Sequence, residues 1–212
     1  MRKLSITDRL LSHLDQGLKT LANKTPRPQR PNPGQDIPSC TLDKRTQRDI
    51  SGMMRVNHTG EVCAQALYLG QSLMARDPQT RKHLLHAAQE EQDHLIWTQT
   101  RLNELSSHGS YLNPFWFGAS YVIGAAAGFA GDTYSYGFVE ETEYQVMAHL
   151  ERHLDKIPNE DQKSRAILKQ MHQDEAHHAH QAKENGAKAM PWSIKILMKC
   201  QSKVMTTLAY YI

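Results

Sequence analysis

At 212 residues, 39% hydrophobic and a mean hydropathy of -0.62, the chain can bury one full core plus tails and is too polar to be a string of membrane spans. Its net charge of +3 comes without any run of Lys and Arg interleaved with aromatics, which argues against a nucleic-acid partner. Cys40, Cys63 and Cys200 are scattered and form no CxxC, which excludes a disulfide framework or a thiolate metal site and fits a reducing interior.

Residues 5–22 set Ile6, Leu10, Leu11, Leu14, Leu18 and Leu21 at helical spacing among Asp8, Arg9, His13, Asp15 and Lys19. This amphipathic helix can pack on the body of the protein or meet a membrane or partner. The N-terminus has charge but no uninterrupted apolar core, which predicts no signal peptide and a cytosolic protein. Pro26, Pro28, Pro31, Pro33, Gly34 and Pro38 then fill a window that excludes regular structure, so residues 1–40 read as an appended helix and its linker.

Thr41 or Asp43 can cap a long helix through about 75 that carries Glu61 near its middle. A second helix is expected over 78–106. Asn113-Pro114 starts a third, whose stretch 115–131 is uncharged and contains the GxxxG run Gly124-Ala125-Ala126-Ala127-Gly128. That window barely reaches the length of a span. The same helix is expected to continue past Glu141 to about 154, which favours a buried or bilayer-grazing face over a crossing. A fourth helix over 159–184 stops at Asn185-Gly186. Pro191 opens a last amphipathic segment, 191–212, with Trp192, Ile196, Leu197, Val204 and Leu208. Basic residues beside the terminal apolar stretches (Arg2, Lys3, Arg9; Lys195, Lys199, Lys203) suit an anionic membrane surface. No strand signal appears.

Two short stretches echo each other. Glu91-Gln92-Asp93-His94 and Glu175-Ala176-His177-His178 both read Glu-x-x-His, which on a helix puts carboxylate and imidazole one turn apart on one face. Each follows, by about thirty residues, a Glu on the preceding helix: Glu61, and Glu141 in the run Val139-Glu140-Glu141-Thr142-Glu143. Glu140 and Glu143 compete with Glu141 for that role. The offset from Glu61 to Glu141 is 141 − 61 = 80, against 84 for both Glu91 to Glu175 and His94 to His178, and on that match we place Glu141. A lone Glu-x-x-His is ordinarily a solvated helix face; the repetition lifts it above that.

Four carboxylates converging in a helical core would repel or protonate unless cations neutralise them, and two divalent ions balance four glutamates. Oxygen-rich sites with one imidazole per metal suit iron or manganese more than zinc. The pattern is that of dinuclear carboxylate bundles. It predicts an all-α, ferritin-like four-helix bundle over 41–190 with a di-iron core, flanked by amphipathic helices. Glu61, Glu91, His94, Glu141, Glu175 and His178 are the expected ligands, with Glu91 and Glu175 bridging. Glu90 and Asp174, directly before the central glutamates, are placed to orient the opposite histidines. His58 and His177 each lie within a turn of an expected ligand.

These residues resemble the demethoxyubiquinone hydroxylases of ubiquinone biosynthesis, bacterial type, from about Thr41 onward. The likeness rests on Asn57-His58-x-Gly60-Glu61, Glu91-x-Asp93-His94-Leu95, the Gly/Ala-rich third helix leading into Val139-Glu140-Glu141-Thr142, and Asp174-Glu175-x-x-His178. It implies two iron ions and an O2-dependent monooxygenase that hydroxylates the ring of a polyprenylated 3-methyl-6-methoxy-1,4-benzoquinol. The third helix and 191–212 would form an entrance for the greasy substrate. Implied partners are that quinol, O2, the membrane surface and other ubiquinone-biosynthesis proteins, at the cytoplasmic face of the bacterial inner membrane. Two rival readings keep the bundle: a di-iron hydroxylase of tRNA bases, which should show a basic groove, and ferritin-like iron storage, which predicts no lipid-facing apolar segments. Animal members carry a His-Tyr pair about two turns past the third-helix ligand, where this chain has Met147-Ala148.

Overall fold

The structure, a computed structural model, describes residues 5–22 and 28–212. Arg2, Lys3 and Pro26, named above for charge and for the linker, lie outside the described residues. Among the described residues the chain is all-helical and ferritin-like, with α1 Ile6–Leu21, α2 Lys44–Met74, α3 Pro78–Glu104, α4 Asn113–Ala130, α5 Asp132–Lys156, α6 Gln162–Glu184 and α7 Trp192–Tyr211.

Local chemistry sets the ends. Asp43 caps α2 through the backbone N–H groups of Arg45 and Thr46, and Asp77, followed by Pro78 in the first turn, caps α3. Asp161 accepts from the Ser164 N–H at the start of α6. Helices α2 and α3 pack as one hairpin and α5 and α6 as another, with α4 lying along α2 as the crossover between them.

The expected single third helix is two. The chain breaks at Gly131, whose φ of 120° lies where side chains are strained and glycine is not. Asp132 then opens α5, and its carboxylate accepts from the N–H groups of Arg76 and Asp77 at 3.0 and 2.8 Å. The break lets α5 leave the line of α4 and join the bundle while tying the α2–α3 turn to the crossover.

The crossover packs by its smallest residues. Trp116, Ser120, Gly124 and Gly128 recur every four residues and form the buried stripe of α4. Phe115, Val122 and Phe129, seven apart, face outward at 63%, 72% exposure bounding the set and 67% for the middle residue. No helix among the described residues is long and apolar enough to cross a membrane.

Helix α1 is turned opposite to the usual arrangement. Its buried residues are His13, Gly17 and Thr20: His13 Nδ1 pairs with the Tyr121 hydroxyl at 3.1 Å, Gly17 sits against the Phe117 ring, and Thr20 donates to Gln65. Ile6, Leu11, Leu14 and Leu18 are left exposed. In the described part of the stretch after it, Gln29 and Arg30 bond to Asp93 and Asp174 on α3 and α6.

The bundle core is two apolar clusters with a polar layer between them. One holds Ile50, Met54, Trp97, Leu150, Ile167 and Met171; the other holds Ala64, Tyr68, Ala88, Tyr136, Val139 and Ala182. Each of α2, α3, α5 and α6 passes from one cluster to the other. The residues where they change over are Glu61, Glu91 with His94, Glu143, and Glu175 with His178, all buried.

Candidate metal centre

The polar layer exists because four helices present acids to one point at mid-length. Glu61, Glu91, His94 and Glu175 offer ligand atoms within 4.8 Å of one another, and so do Glu143, Glu175 and His178. The geometry is cross-linked. Glu91 lies 2.8 Å from His94 Nδ1 through one oxygen and 3.2 Å from His178 Nδ1 through the other. Glu175 mirrors it, at 3.1 Å from His178 Nδ1 and 3.3 Å from His94 Nδ1. Each central glutamate thus has one oxygen toward each half, the disposition a carboxylate needs to span two cations.

Five of the six residues expected from the sequence are brought together; Glu141 is not. Two residues on a helix are about 200° apart, so Glu141 and Glu143 cannot share a face. Glu141 turns toward α7, where its carboxylate meets Lys195 Nζ at 2.6 Å and accepts from Gln145 Nε2. Glu143 takes the interior place and accepts from the Tyr68 hydroxyl at 2.5 Å. A signal for this was present: Val139, Glu143, Val146 and Leu150 form one inward stripe at helical spacing, and 143 − 61 = 82 comes nearer to 84 than 80 does. The same shift moves the position of the animal His-Tyr pair from Met147-Ala148 to His149-Leu150.

The histidines are held from behind as the sequence suggests. His94 Nε2 meets Asp174 Oδ2 at 2.9 Å and His178 Nε2 meets Glu90 Oε2 at 3.1 Å, which turns each Nδ1 toward the cluster. His58 is buried, paired with Thr98 Oγ1, and pushed down to about 4 by burial. His177 is exposed and paired with Gln181; neither reaches the cluster.

The buried groups of the cluster shift one another's charge. Burial, with Glu91 and Glu175 nearby, pushes the Glu61 carboxyl well above its usual range. Burial and the same two neighbours do so for Glu143. Burial opposes charge on His94 and His178 too, but the surrounding carboxylates outweigh it and raise both imidazoles. Glu91, although burial disfavours its charge, is held well below the carboxylate range by His94 and His178. Glu91 Oε1 is buried and, although 3.2 Å from His178 Nδ1, makes no well-aligned hydrogen bond. An oxygen-rich set with two imidazoles, an orphaned central carboxylate atom and four acids for two divalent ions fits a pair of iron or manganese ions.

Beside the centre lies a cavity of about 120 Å³ between α2, α4, α5 and α7. Glu61 forms part of its wall; Leu67, Ile123, Phe138, Val146 and Met198 make it largely apolar. His149, at its edge, meets the His153 ring edge-on, with centroids 4.0 Å apart, and burial with Arg152 and Lys156 close by lowers His149 to about 4.

Residues 48–209 match the family described as ubiquinone biosynthesis protein COQ7. The chain is 50% identical to the 3-demethoxyubiquinol 3-hydroxylase of Acinetobacter baumannii over 212 residues, covering 100% of both chains. It is 51% identical over 211 residues to the protein of that name from Nitrosococcus oceani, covering 100% of this chain and 99% of the relative. To the one from Xanthomonas oryzae pv. oryzae it is 52% identical over 203 residues, 96% and 93% of the two chains.

Proposed function

The chain belongs to the COQ7 family of ubiquinone biosynthesis and is a hydroxylase of that pathway, and from this we propose that it hydroxylates the ring of demethoxyubiquinol with O2 at a di-iron centre. The observation that carries the reading is the crossed pairing of Glu91 and Glu175 with His94 and His178 beside an apolar cavity. Family membership and this cavity also favour the quinol over the tRNA-base and iron-storage alternatives.

Glu61, Glu91, His94, Glu143, Glu175 and His178 would hold the two ions. Iron held there would supply the electrons and the O2 binding that no side chain offers. The protein does the rest. Asp174 and Glu90 keep the imidazoles oriented, and the two apolar clusters keep water from above and below the polar layer. The cavity admits the ring beside Glu61, and its apolar lining suits a methyl- and methoxy-substituted quinol better than a nucleobase.

The isoprenoid tail gives the outward apolar residues a role. Ile6, Leu11, Leu14 and Leu18 of α1, Phe115, Val122 and Phe129 of α4, and Trp192, Leu197 and Val204 of α7 are all exposed. Lys199 and Lys203 stand on α7 as counter-charges for anionic lipid. This fits a peripheral protein on the cytoplasmic face of the inner membrane, drawing substrate between α4 and α7. Replacing Phe129 and Leu197 by Glu removes roughly 3–6 kcal/mol of apolar burial, so binding to anionic vesicles should fall by about 100-fold or more. Co-flotation equal to wild type would reject the membrane face.

The reaction itself is tested with the iron-reconstituted protein, a short-tailed demethoxyubiquinol, a chemical reductant and 18O-labelled O2. The expected product gains one hydroxyl carrying one labelled atom, the second leaving as water. A fully loaded protein that yields no hydroxylated quinol, or an unlabelled one, would refute the assignment.

A further inference from the structure

The two halves of the centre are copies in sequence and unequal in their surroundings. Behind His178, Glu90 is partly exposed and its further partner is the exposed His86 at 3.2 Å. Behind His94, Asp174 is gripped by an arginine from the linker. Arg30 Nη1 donates to Asp174 Oδ2 at 2.9 Å, the oxygen that also pairs with His94 Nε2. Arg30 Nε donates to Asp93 Oδ2 at 2.9 Å, the Gln29 N–H holds the other oxygen of Asp93, and the guanidinium lies over the Trp97 ring, 5.0 Å from its centroid.

We propose that Arg30 is a positioning residue that makes the two metal positions unequal, by drawing the charge of Asp174 away from His94. The proposal rests on the metal-centre reading above. An imidazole gains donor strength when a carboxylate accepts its far N–H; a guanidinium on the same carboxylate oxygen takes part of that gain back. The cation also sits on the His94 side alone, so it opposes a second positive charge there more than at His178. Asp174 would keep its orientation without Arg30, because Gln170 Nε2 holds its other oxygen at 3.0 Å. What Arg30 sets is therefore the electron supply to His94, more than the place of its ring.

The test titrates the metal-free full-length protein with Mn2+, reading free Mn2+ by electron paramagnetic resonance. Wild type should take up two ions in two separable steps. In Arg30→Gln the weaker step should tighten by about tenfold, the scale of effects transmitted through a ligand's hydrogen-bond partner, while the tighter one stays within twofold. Arg30→Lys keeps the charge and should keep the wild-type separation. In nitrogen-15 histidine spectra of the metal-free protein, the Nε2–H signal of His94 should move in Arg30→Gln and that of His178 should not. Two ions bound with an unchanged ratio in Arg30→Gln, or a shift at both histidines, overturns the role of Arg30. Fewer than two ions in wild type overturns the metal centre itself.

Discussion

Replacing Glu143 by Ala is expected to cut turnover by more than about 100-fold and to lose one of two bound ions, while Glu141→Ala stays within a few-fold of wild type. The contrast follows from where the two side chains go. Glu143 is buried among Glu91, Glu175 and His178, with its carboxyl bonded to Tyr68. Even changing partners of metal ligands costs roughly 10–100-fold in affinity or activity, and Glu143 would be a ligand. Glu141, though itself buried, points away from the cluster to Lys195, which is 43% exposed, so its loss removes one ion pair screened by solvent on the lysine side and no group facing the cluster. Both variants should keep their helical content, because Glu143 sits between the apolar clusters and belongs to neither. Metal analysis and steady-state turnover of the purified variants check this. Glu141→Ala losing metal, with Glu143→Ala retaining it, would return the site to the register that the 80-residue offset suggests.

The second large effect concerns the α2–α4 seam. A Cβ at Gly124 would stand 2.2 Å from the Leu67 carbonyl oxygen, and one at Gly70 would stand 2.2 Å from that of Tyr121. Both obstacles are backbone, so neither can swing aside; only separation of the helices relieves them. Overpacking costs about 1–3 kcal/mol and at times more, so Gly124→Val should lower stability by about 3 kcal/mol. For a chain of this size that is a fall in melting temperature of roughly 6–12 °C. Because α4 supplies Trp116, Ser120 and Ile123 to the cavity wall, activity toward the quinol should fall alongside. Gly118 is the control: a Cβ there meets nothing within 4 Å, and Ala is favoured over Gly in a helix by about 1 kcal/mol. Gly118→Ala should melt at or above the wild-type temperature. Equal destabilisation at Gly118 and Gly124 would mean that helix propensity, and not the close seam, governs α4.

Much of this is legible in the sequence. The paired Glu-x-x-His stretches and Glu61 lie where periodicity puts them, and Glu90 and Asp174 back the opposite histidines as their place beside the central glutamates implies. The offset between halves points to Glu141, whereas the inward stripe of Val139, Val146 and Leu150 carries Glu143 to the cluster and turns Glu141 toward Lys195. The break at Gly131 was hidden because glycine is common along α4, and only the backbone shows which one takes a positive φ. Arg30 was illegible for a different reason. It sits in a proline-rich stretch without periodicity, and its partners are 63 and 144 residues away. Long-range ion pairs of that kind leave no local pattern to read.

Diffraction from crystals of the iron-loaded protein, recorded on either side of the iron absorption edge, tests the central claim most directly. Two anomalous peaks should appear in the polar layer, each within coordination reach of Glu91 and Glu175, one beside His94 and Glu61 and the other beside His178 and Glu143. Iron in the crystal with no peak between those six side chains would contradict the account.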